Sequence, residues 1–427
     1  MKHKVQALLQ QDFIKHNAVF FLGTLGISLF NYLYYPVIGR LASVSEFGEI
    51  QALISLFMEL GIVLTVFGYI TTNIVNNHKD KSNKVILLTE LERLALFITV
   101  ALFGVLLIGS FYLKSSLQFT SVIPLIGVGA LIVLNVPSTF RTYYLQGEKH
   151  LKEVSISGII FAAGKLVLSA ALIIIGWNVF GAIVGYIIAQ AATLYYVATK
   201  THGKLPSVRS SIPVRMEGLK FQTERKVLKR ELLFGCVILV LLATVTVLYT
   251  SDAIVVRRFF SANEAGFFSG LSAVARIVFF VTASVAGVLI ASIKMSNTAK
   301  ENHRTLVKSL ILVSLIGGVA LVVFSLFPHL ITSILIGGDY VKYSYLLPWM
   351  SLSMLLCSYN NLLFSYQIAL RDYSSLFAAG VGAILLPILV ITNHATLLHI
   401  AYDYVICNLA IFVIACIQIF RTGEKHV

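Results

Sequence analysis

The chain has 427 residues, of which 58% are hydrophobic and only 12% are charged. That charged share is about half that of an average soluble domain, so the sequence cannot provide the polar surface that a soluble protein of this length needs. The formal net charge is +14, but the basic residues lie in short loops without interleaved aromatic residues, which argues against nucleic acid as a partner. These features predict an integral membrane protein in contact with lipid.

The apolar segments are continuous and about 20 residues long, which favours membrane-spanning helices over the alternating segments of about 10 residues in a β-barrel. In chain order, the predicted spans lie near residues 18–38, 48–74, 94–113, 121–140, 154–176, 178–198, 232–251, 266–291, 306–327, 346–368, 374–392 and 399–420. Only Gly176, Trp177 and Asn178 separate spans 5 and 6, which predicts a tight turn with a tryptophan at the membrane interface.

The basic residues are unevenly distributed between the loops. With the N-terminus in the cytoplasm, 25 of the 33 Lys and Arg residues fall in cytoplasmic segments and five fall in outer segments. Positive charge in short loops marks the cytoplasmic side of a membrane protein. We therefore predict that both termini are cytoplasmic, which requires an even number of spans.

A polar, basic segment divides the chain. Six predicted spans precede it and six follow it. This predicts an N-terminal six-helix bundle at 1–198, a basic cytoplasmic linker at 199–231 and a C-terminal six-helix bundle at 232–427. The charge of the linker also suits anionic lipids of the inner leaflet.

The two halves share a short repeated motif. Residues 40–48 read RLASVSEFG and residues 258–266 read RFFSANEAG, so Arg, Ser, Glu and Gly recur at a constant offset of 218 residues. Both segments lie between the first and second span of their half. Halves that begin on the same side of the membrane form a parallel repeat, which is typical of transporters with a central cavity and alternating access.

The first copy of the motif also carries a family resemblance. Pro36, Arg40 and Leu41 end the first span, and the Ser-x-x-Glu-Phe-Gly sequence of residues 43–48 follows. This start, together with twelve predicted spans in two halves, resembles the polysaccharide flippases of the multidrug/oligosaccharidyl-lipid/polysaccharide exporter superfamily. The second half departs from the pattern at Arg257-Arg258, which replaces a more apolar ending.

The resemblance implies a fold, a cargo and a location. It implies an all-α protein of the bacterial inner membrane. Such proteins transfer undecaprenyl-diphosphate-linked oligosaccharide from the inner to the outer leaflet for surface polysaccharide assembly. Membrane lipids and a polysaccharide polymerase or other assembly proteins would be partners. The resemblance implies no enzymatic activity and no cofactor, apart from Na⁺ or H⁺ as a coupling ion.

Cations inside the spans are the first candidates to bind a diphosphate, because a charge within the bilayer is costly and usually faces a cavity. Lys165 lies near the middle of span 5, and its alternative role is that of a structural lysine that is paired or neutralised by burial. Arg276 lies within span 8, and a guanidinium suits phosphate oxygens. Its alternative role is an ion pair with Glu59, since the repeat offset maps Arg276 to position 58.

Further candidate cations lie at the ends of spans. Arg40, Arg257 and Arg258 lie at outer helix ends, where they would meet a departing diphosphate, and Arg40 matches Arg258 in the repeat; the alternative is interfacial anchoring and helix capping. Arg141 lies at the inner end of span 4, where it would meet an entering diphosphate or serve as an ordinary cytoplasmic-side charge. Glu92 is predicted to lie at the solvated start of span 3.

Carboxylates and amides complete the predicted site. The candidates to carry a coupling ion are Glu59, Asp252 and Asp403. The candidates to contact sugar hydroxyls are Asn31, Asn360 and Asn361. Neither catalytic residues nor metal ligands are predicted, because the four cysteines lie in apolar segments without a CxxC pair and the histidines are scattered.

Two other classes of function compete with the flippase. An ion-coupled exporter of drugs or small cations from the same superfamily should carry an excess of acidic residues in its cavity. Here the deepest charges are Lys165, Arg276 and Glu59, which favour an anionic cargo. A membrane glycosyltransferase or polymerase needs catalytic residues on a substantial outer loop, and the longest outer loop, 328–345, offers few reactive groups.

Overall fold

The structure is a computed structural model that describes residues 23–77, 81–202, 205, 219–293 and 298–423. The first five residues of predicted span 1, the middle of the predicted linker and both chain termini lie outside the described residues. Every regular element within the described ranges is a helix, which confirms the predicted all-α fold.

The described residues form fourteen α-helices. These are α1 (23–41), α2 (Val44–Asn77), α3 (Lys81–Ser116), α4 (Ile123–Gly147), α5 (Leu151–Leu172), α6 (Asn178–Thr201), α7 (Leu219–Thr250), α8 (Asp252–Phe259), α9 (Ala262–Ser292), α10 (Ala299–Leu326), α11 (Pro328–Leu335), α12 (Leu347–Leu370), α13 (Ser375–Thr392) and α14 (Leu397–Gly423). A π-helical turn, Ile173–Trp177, follows α5, and a 3₁₀-helix, Gly338–Leu346, precedes α12.

Twelve of these helices correspond to the twelve predicted spans, and α8 and α11 are short additions in predicted outer loops. By length and composition, nine segments of the described residues could cross a membrane, and one of them, Leu151–Thr201, contains both α5 and α6. The protein is therefore a multi-pass membrane protein with approximately the predicted number of spans. Two helices begin much earlier than predicted, α3 at Lys81 and α7 at Leu219, because their polar first turns continue helical beyond the apolar segment.

The predicted turn between spans 5 and 6 is present. Gly176 has φ +96° and ψ +14°, a left-handed conformation that glycine adopts at little cost, and Asn178 also has a positive φ of +45°. The helices on either side then pack together. Ser169 on α5 donates a hydrogen bond of 2.9 Å to the carbonyl oxygen of Ala182 on α6. The three-residue gap therefore reverses the chain, and α5 and α6 form a helical hairpin.

The chain divides into two compact units. Unit 1 contains the described residues of 1–37, 63–114 and 120–235, and unit 2 contains 38–62, 115–119 and the described residues of 236–427. Unit 1 includes the α5–α6 hairpin, and unit 2 includes both copies of the repeated motif. The division into bundles at 1–198 and 232–427 stays a prediction.

The repeated Ser and Glu residues have the same structural role in both copies. At the start of α2, Ser43 and Glu46 exchange hydrogen bonds between side chain and backbone. Ser261 and Glu264 do the same at the start of α9. Both pairs are capping boxes, which satisfy backbone N–H groups that a helix leaves unpaired at its first turn. The repeat therefore marks two equivalent helix starts.

The repeated glycine brings these two helices into contact. A Cβ atom on Gly48 would lie 2.7 Å from the Cα atom of Gly266, and a Cβ atom on Gly266 would lie 2.1 Å from the carbonyl oxygen of Val44. Both distances are far below a normal contact. Only glycine on both helices allows α2 and α9 to touch backbone to backbone at this point.

We expect Gly266→Ala to destabilise the protein by about 1–3 kcal/mol, because the added methyl group must push the backbone of α2 away. Gly287→Ala is the matched control on the same helix, since a Cβ atom there meets no atom within 4 Å. The control should be neutral or slightly stabilising, as alanine favours helix more than glycine does. Thermal unfolding of the two purified variants measures the difference, and equal melting temperatures would contradict the close contact.

Candidate functional site

Lys165 lies in an aromatic pocket within unit 1. Its ammonium nitrogen is 4.9 Å from the ring centroid of Tyr186, 5.3 Å from that of Tyr34 and 5.5 Å from that of Phe161. These distances are typical of cation–π contacts. Its hydrogen-bond contact with the Tyr186 hydroxyl is long, at 3.4 Å. Within the described ranges, no carboxylate lies within 4 Å of the ammonium group.

The sequence places the three rings around the lysine in a simple way. Phe161 precedes Lys165 by one helical turn on α5, so the two side chains lie on the same face. Tyr186 reaches the pocket from α6 across the hairpin, and Tyr34 reaches it from α1. The rings of Tyr34 and Tyr186 meet edge to face at 5.5 Å between centroids, and both residues are buried. The pocket is therefore formed by packed, well-fixed side chains.

Arg276 belongs to a different site, within unit 2. Its Nη2 atom donates a hydrogen bond of 2.6 Å to Oδ1 of Asp252, and its Nη1 atom donates one of 3.4 Å to the side-chain oxygen of Gln51. Ser272, one turn before Arg276 on α9, donates to the other carboxylate oxygen of Asp252. Arg276, Gln51 and Asp252 are all buried. The ion pair of Arg276 is thus with Asp252, whereas the sequence suggested Glu59.

Glu59 nevertheless lies next to this pair. Its Oε1 atom accepts a hydrogen bond of 3.0 Å from the hydroxyl of Thr250, and the carbonyl oxygen of Thr250 is 3.5 Å from Nη2 of Arg276. Of the three predicted ion-coupling carboxylates, Asp252 therefore binds the guanidinium of Arg276, and Glu59 is linked to this pair through Thr250. We call Gln51, Glu59, Thr250, Asp252, Ser272 and Arg276 the acidic cluster.

Arg257, which the sequence placed at an outer helix end, lies inside unit 2 and makes several hydrogen bonds. Arg257 is 1% exposed and pairs with the equally buried Glu49 at 3.3 Å. It also donates to the backbone carbonyl oxygens of Leu117, Ser45 and Gln118, at 2.9, 3.0 and 2.7 Å. Arg257 therefore holds the segment 115–119, at the end of α3, against the start of α2.

Its neighbour in the sequence lies in a different environment. Arg258 is exposed, and its guanidinium lies 5.9 Å from the ring of Phe259. Arg40, the equivalent residue in the first copy of the motif, is also exposed and donates a hydrogen bond to the carbonyl oxygen of Ile334 at the end of α11. Arg40 and Arg258 thus share exposure but not contacts.

Arg141 is buried and paired. Its Nη1 atom is 3.2 Å from Oε1 of Glu92 and 2.9 Å from the carbonyl oxygen of Pro137. The prediction that Glu92 begins a span in solvent is wrong, because α3 starts at Lys81, three turns earlier, and only 14% of the Glu92 side chain is exposed. The pair is therefore an internal ion pair of unit 1.

The remaining predicted residues are polar groups in the helix interior. Asp403 is 0% exposed, and its Oδ1 atom accepts a hydrogen bond of 3.0 Å from Asn393. Asn360 donates to the carbonyl oxygen of Asn408 at 3.0 Å, which fixes α12 against α14. Asn361 and Asn31 are half-buried.

Comparison with sequence families gives one match. The profile of a family described as "Polysaccharide biosynthesis protein" matches residues 13–296, about two thirds of the chain. No curated protein matches the chain at the significance threshold.

Solved structures share the fold over nearly the whole chain. One is an inward-facing multidrug resistance MATE family transporter of the MOP superfamily, with a TM-score of 0.72, 13% identity and 95% of this chain and 99% of that chain covered. The lipid II flippase MurJ, in an inward closed conformation, matches with a TM-score of 0.67 and 13% identity. The match covers 95% of this chain and 87% of that chain. The MATE multidrug transporter DinF-BH matches with a TM-score of 0.64 and 16% identity, over 95% of this chain and 94% of that chain. At these identities the likeness establishes the fold alone.

Proposed function

Because this chain belongs to the polysaccharide biosynthesis protein family and has the fold of MATE transporters and the lipid II flippase, we propose that it is a flippase for a lipid-linked oligosaccharide. The cargo would be an undecaprenyl-diphosphate-linked glycan, moved from the inner to the outer leaflet by alternating access. The protein would lie in the bacterial inner membrane with both termini in the cytoplasm, and a polysaccharide polymerase would use its product.

The observation that carries the proposal is the pocket of Lys165. An ammonium group without a carboxylate partner among the described residues is a ready binding partner for an anion. The three rings stabilise the cation through cation–π contacts without neutralising it. A diphosphate oxygen would accept a charge-assisted hydrogen bond from Lys165, and the half-buried ring of Phe161 would suit the apolar face of a sugar ring.

Movement between leaflets requires no covalent step. The work consists of replacing the water around a charged head group with protein groups while the isoprenoid chain stays in lipid. The ion pairs of Arg276 with Asp252 and of Arg141 with Glu92 would then be structural elements around the route and not primary diphosphate ligands, because their guanidinium groups already bind carboxylates.

We expect depletion of the protein in its host to raise the amount of undecaprenyl-linked oligosaccharide in the inner leaflet and to remove a surface polysaccharide. Mass spectrometry of the accumulated lipid would also identify the glycan. Re-expression of the wild-type chain should reverse both effects, which controls for polar effects on neighbouring genes.

Unchanged lipid-linked oligosaccharide in a host without a second flippase would contradict the proposal. It would favour the alternative, an ion-coupled exporter of small molecules, which the fold similarity to multidrug transporters also supports. That alternative predicts a lower tolerance of the depleted cells to lipophilic cations.

A further inference from the structure

Two amide side chains join α4 to α6 within unit 1. Nε2 of Gln190 donates a hydrogen bond of 2.9 Å to Oδ1 of Asn135. The hydroxyl of Thr139, one turn after Asn135 on α4, lies 3.5 Å from the same oxygen. Gln190 is 3% exposed and Asn135 is half-buried. Both lie within predicted spans, at 121–140 and 178–198, so the amide pair is a polar group at membrane depth.

The amide pair lies next to the pocket of Lys165. On α6, Ala189 faces α5, because its Cβ atom would lie 3.2 Å from a Cβ atom added to Gly164. Gln190 faces α4 instead. Tyr186, whose ring contacts Lys165, points between these two directions and precedes Gln190 by one turn, or about 6 Å along the helix axis. The pocket and the amide pair therefore face one interior of unit 1.

Each amide keeps a hydrogen-bonding group in reserve. The bond between the side chains uses one group of each, and neither Oε1 of Gln190 nor Nδ2 of Asn135 has a hydrogen-bond partner among the described residues. If both amides were rotated by half a turn, Asn135 would donate to Gln190, and one oxygen and one NH₂ group would again remain. The pair thus offers an acceptor and a donor side by side in either arrangement.

A purely structural role does not account for these two groups. Amide side chains often join helices within membranes, but that role needs only the one hydrogen bond between them. A polar group left without a partner away from water is costly. An adjacent donor and acceptor suit hydroxyl groups, since a hydroxyl both donates and accepts. Neither amide is charged, so the pair suits a neutral polyol and not a phosphate.

We propose that Asn135 and Gln190 bind hydroxyl groups of the sugar that is attached directly to the diphosphate, and thereby select the cargo. This inference rests on the proposed flippase function, with Lys165 as the diphosphate contact. One helical turn separates Tyr186 from Gln190, a rise of about 6 Å, which is near the width of one sugar ring. The diphosphate at Lys165 would therefore place its first sugar at the amide pair.

The test compares ligands that differ only in the sugar. They are radiolabelled undecaprenyl diphosphate and the same lipid with a single glucose, galactose or N-acetylglucosamine, each bound to the purified full-length chain in detergent. We expect the wild type to bind at least one of the three sugar-linked lipids about five- to thirtyfold more tightly than the bare diphosphate. Two hydrogen bonds of ordinary net strength give a ratio of this size.

The double variant Asn135→Leu/Gln190→Met should reduce this ratio to about one and leave the affinity for the bare diphosphate unchanged. It replaces both partners of the hydrogen bond with apolar side chains of similar size, so no polar group is left unpaired and the chain should fold. Thr193→Val is the control. Thr193 is also buried on α6, but its hydroxyl donates to the carbonyl oxygen of Ala189 in the same helix, so the ratio should persist.

Lys165→Met should have the opposite pattern. It should weaken the binding of all four ligands by the same factor and keep the ratio, because the diphosphate and the sugar are held by different groups. A purely structural amide pair would give another result, in which the double variant weakens all four ligands together or lowers the melting temperature without changing the ratio.

Three results would overturn the inference. They are equal affinity of the wild type for all four ligands, a ratio that survives in the double variant, and an equal loss of affinity for all four ligands in that variant. If Lys165→Met changes no affinity while the double variant removes the ratio, the diphosphate contact is wrong and the sugar contact stands. A wild type that binds none of the four ligands would refute the proposed cargo and this inference together.

Discussion

Arg257→Met is expected to destabilise the protein by about 3–5 kcal/mol, the usual effect of breaking a buried ion pair by removing one partner. The substitution takes the guanidinium away from Glu49, and both side chains are 1% exposed in the wild type. It also removes the hydrogen bonds that hold the carbonyl oxygens of Leu117 and Gln118. A loss of this size is a large share of the stability of a typical protein.

The adjacent residue provides a matched control. Arg258→Met removes the same charge from the same helix, but Arg258 is exposed, so its effect should stay within about 0.5 kcal/mol. Arg257→Lys should fall between the two, because a lysine keeps the charge but cannot reach several acceptors at once. Melting temperature in detergent and the amount of membrane-inserted protein are the measurements.

The role of Glu49 can be tested by a double substitution. If the ion pair accounts for the loss, Glu49→Gln combined with Arg257→Met should cost less than the sum of the two single changes. Additive losses, or equal melting temperatures for Arg257→Met and Arg258→Met, would show that Arg257 does not fix the segment 115–119.

The order of the long helices could be predicted from the sequence, because lipid imposes a minimum length on each apolar segment. The limits of α3 and α7 could not, since hydropathy detects the part of a helix that lies in lipid and not its polar extension. Thus Glu92 looked like a helix start, although it lies three turns inside α3 and pairs with Arg141.

The contacts within the candidate site could not be predicted from the sequence either. Lys165 could be singled out because it lies at the middle of an apolar segment, but the three rings around it come from α1, α5 and α6, and no single-sequence pattern shows which residues meet. The burial of Arg257 could not be predicted, because α8 was not predicted. Successive residues of a helix point in different directions. Without knowing that Arg257 and Arg258 lie on a helix, the sequence cannot show which of the two points inward.

The helix starts at the repeated motif could have been predicted from the sequence alone. Ser and Glu three residues apart at a helix start are the signature of a capping box, and both copies have it. The need for the glycines that follow, Gly48 and Gly266, is set instead by the close contact between α2 and α9. The pairing of Arg276 with Asp252 is likewise tertiary, since Asp252 lies at the start of a short helix that follows α7.

Lys165→Met is expected to lower the rate of transport about 10- to 100-fold. A charge-assisted hydrogen bond between the ammonium group and a phosphate oxygen contributes about 1.5–3 kcal/mol, and each 1.4 kcal/mol corresponds to a factor of ten. The assay is the movement of a fluorescent diphosphate-linked oligosaccharide across vesicles that contain the purified protein, followed by an impermeant quencher. Lys165→Arg, which keeps the charge, should retain more activity than Lys165→Met.

Stability separates this role from a structural one. Lys165 has no carboxylate partner in the described part of the chain, so replacing it with an apolar side chain of similar length removes a charge that is costly to bury. The melting temperature of Lys165→Met should therefore stay the same or rise while transport falls, as expected where function and stability compete.

Lys200→Met is the control, because Lys200 also lies against a tyrosine ring in unit 1, at 5.6 Å from the centroid of Tyr196, but is exposed. It should leave transport unchanged. Full transport by a stable Lys165→Met variant would remove the aromatic pocket from the route of the cargo. A fall in both transport and melting temperature would assign Lys165 to the packing of α1, α5 and α6 instead.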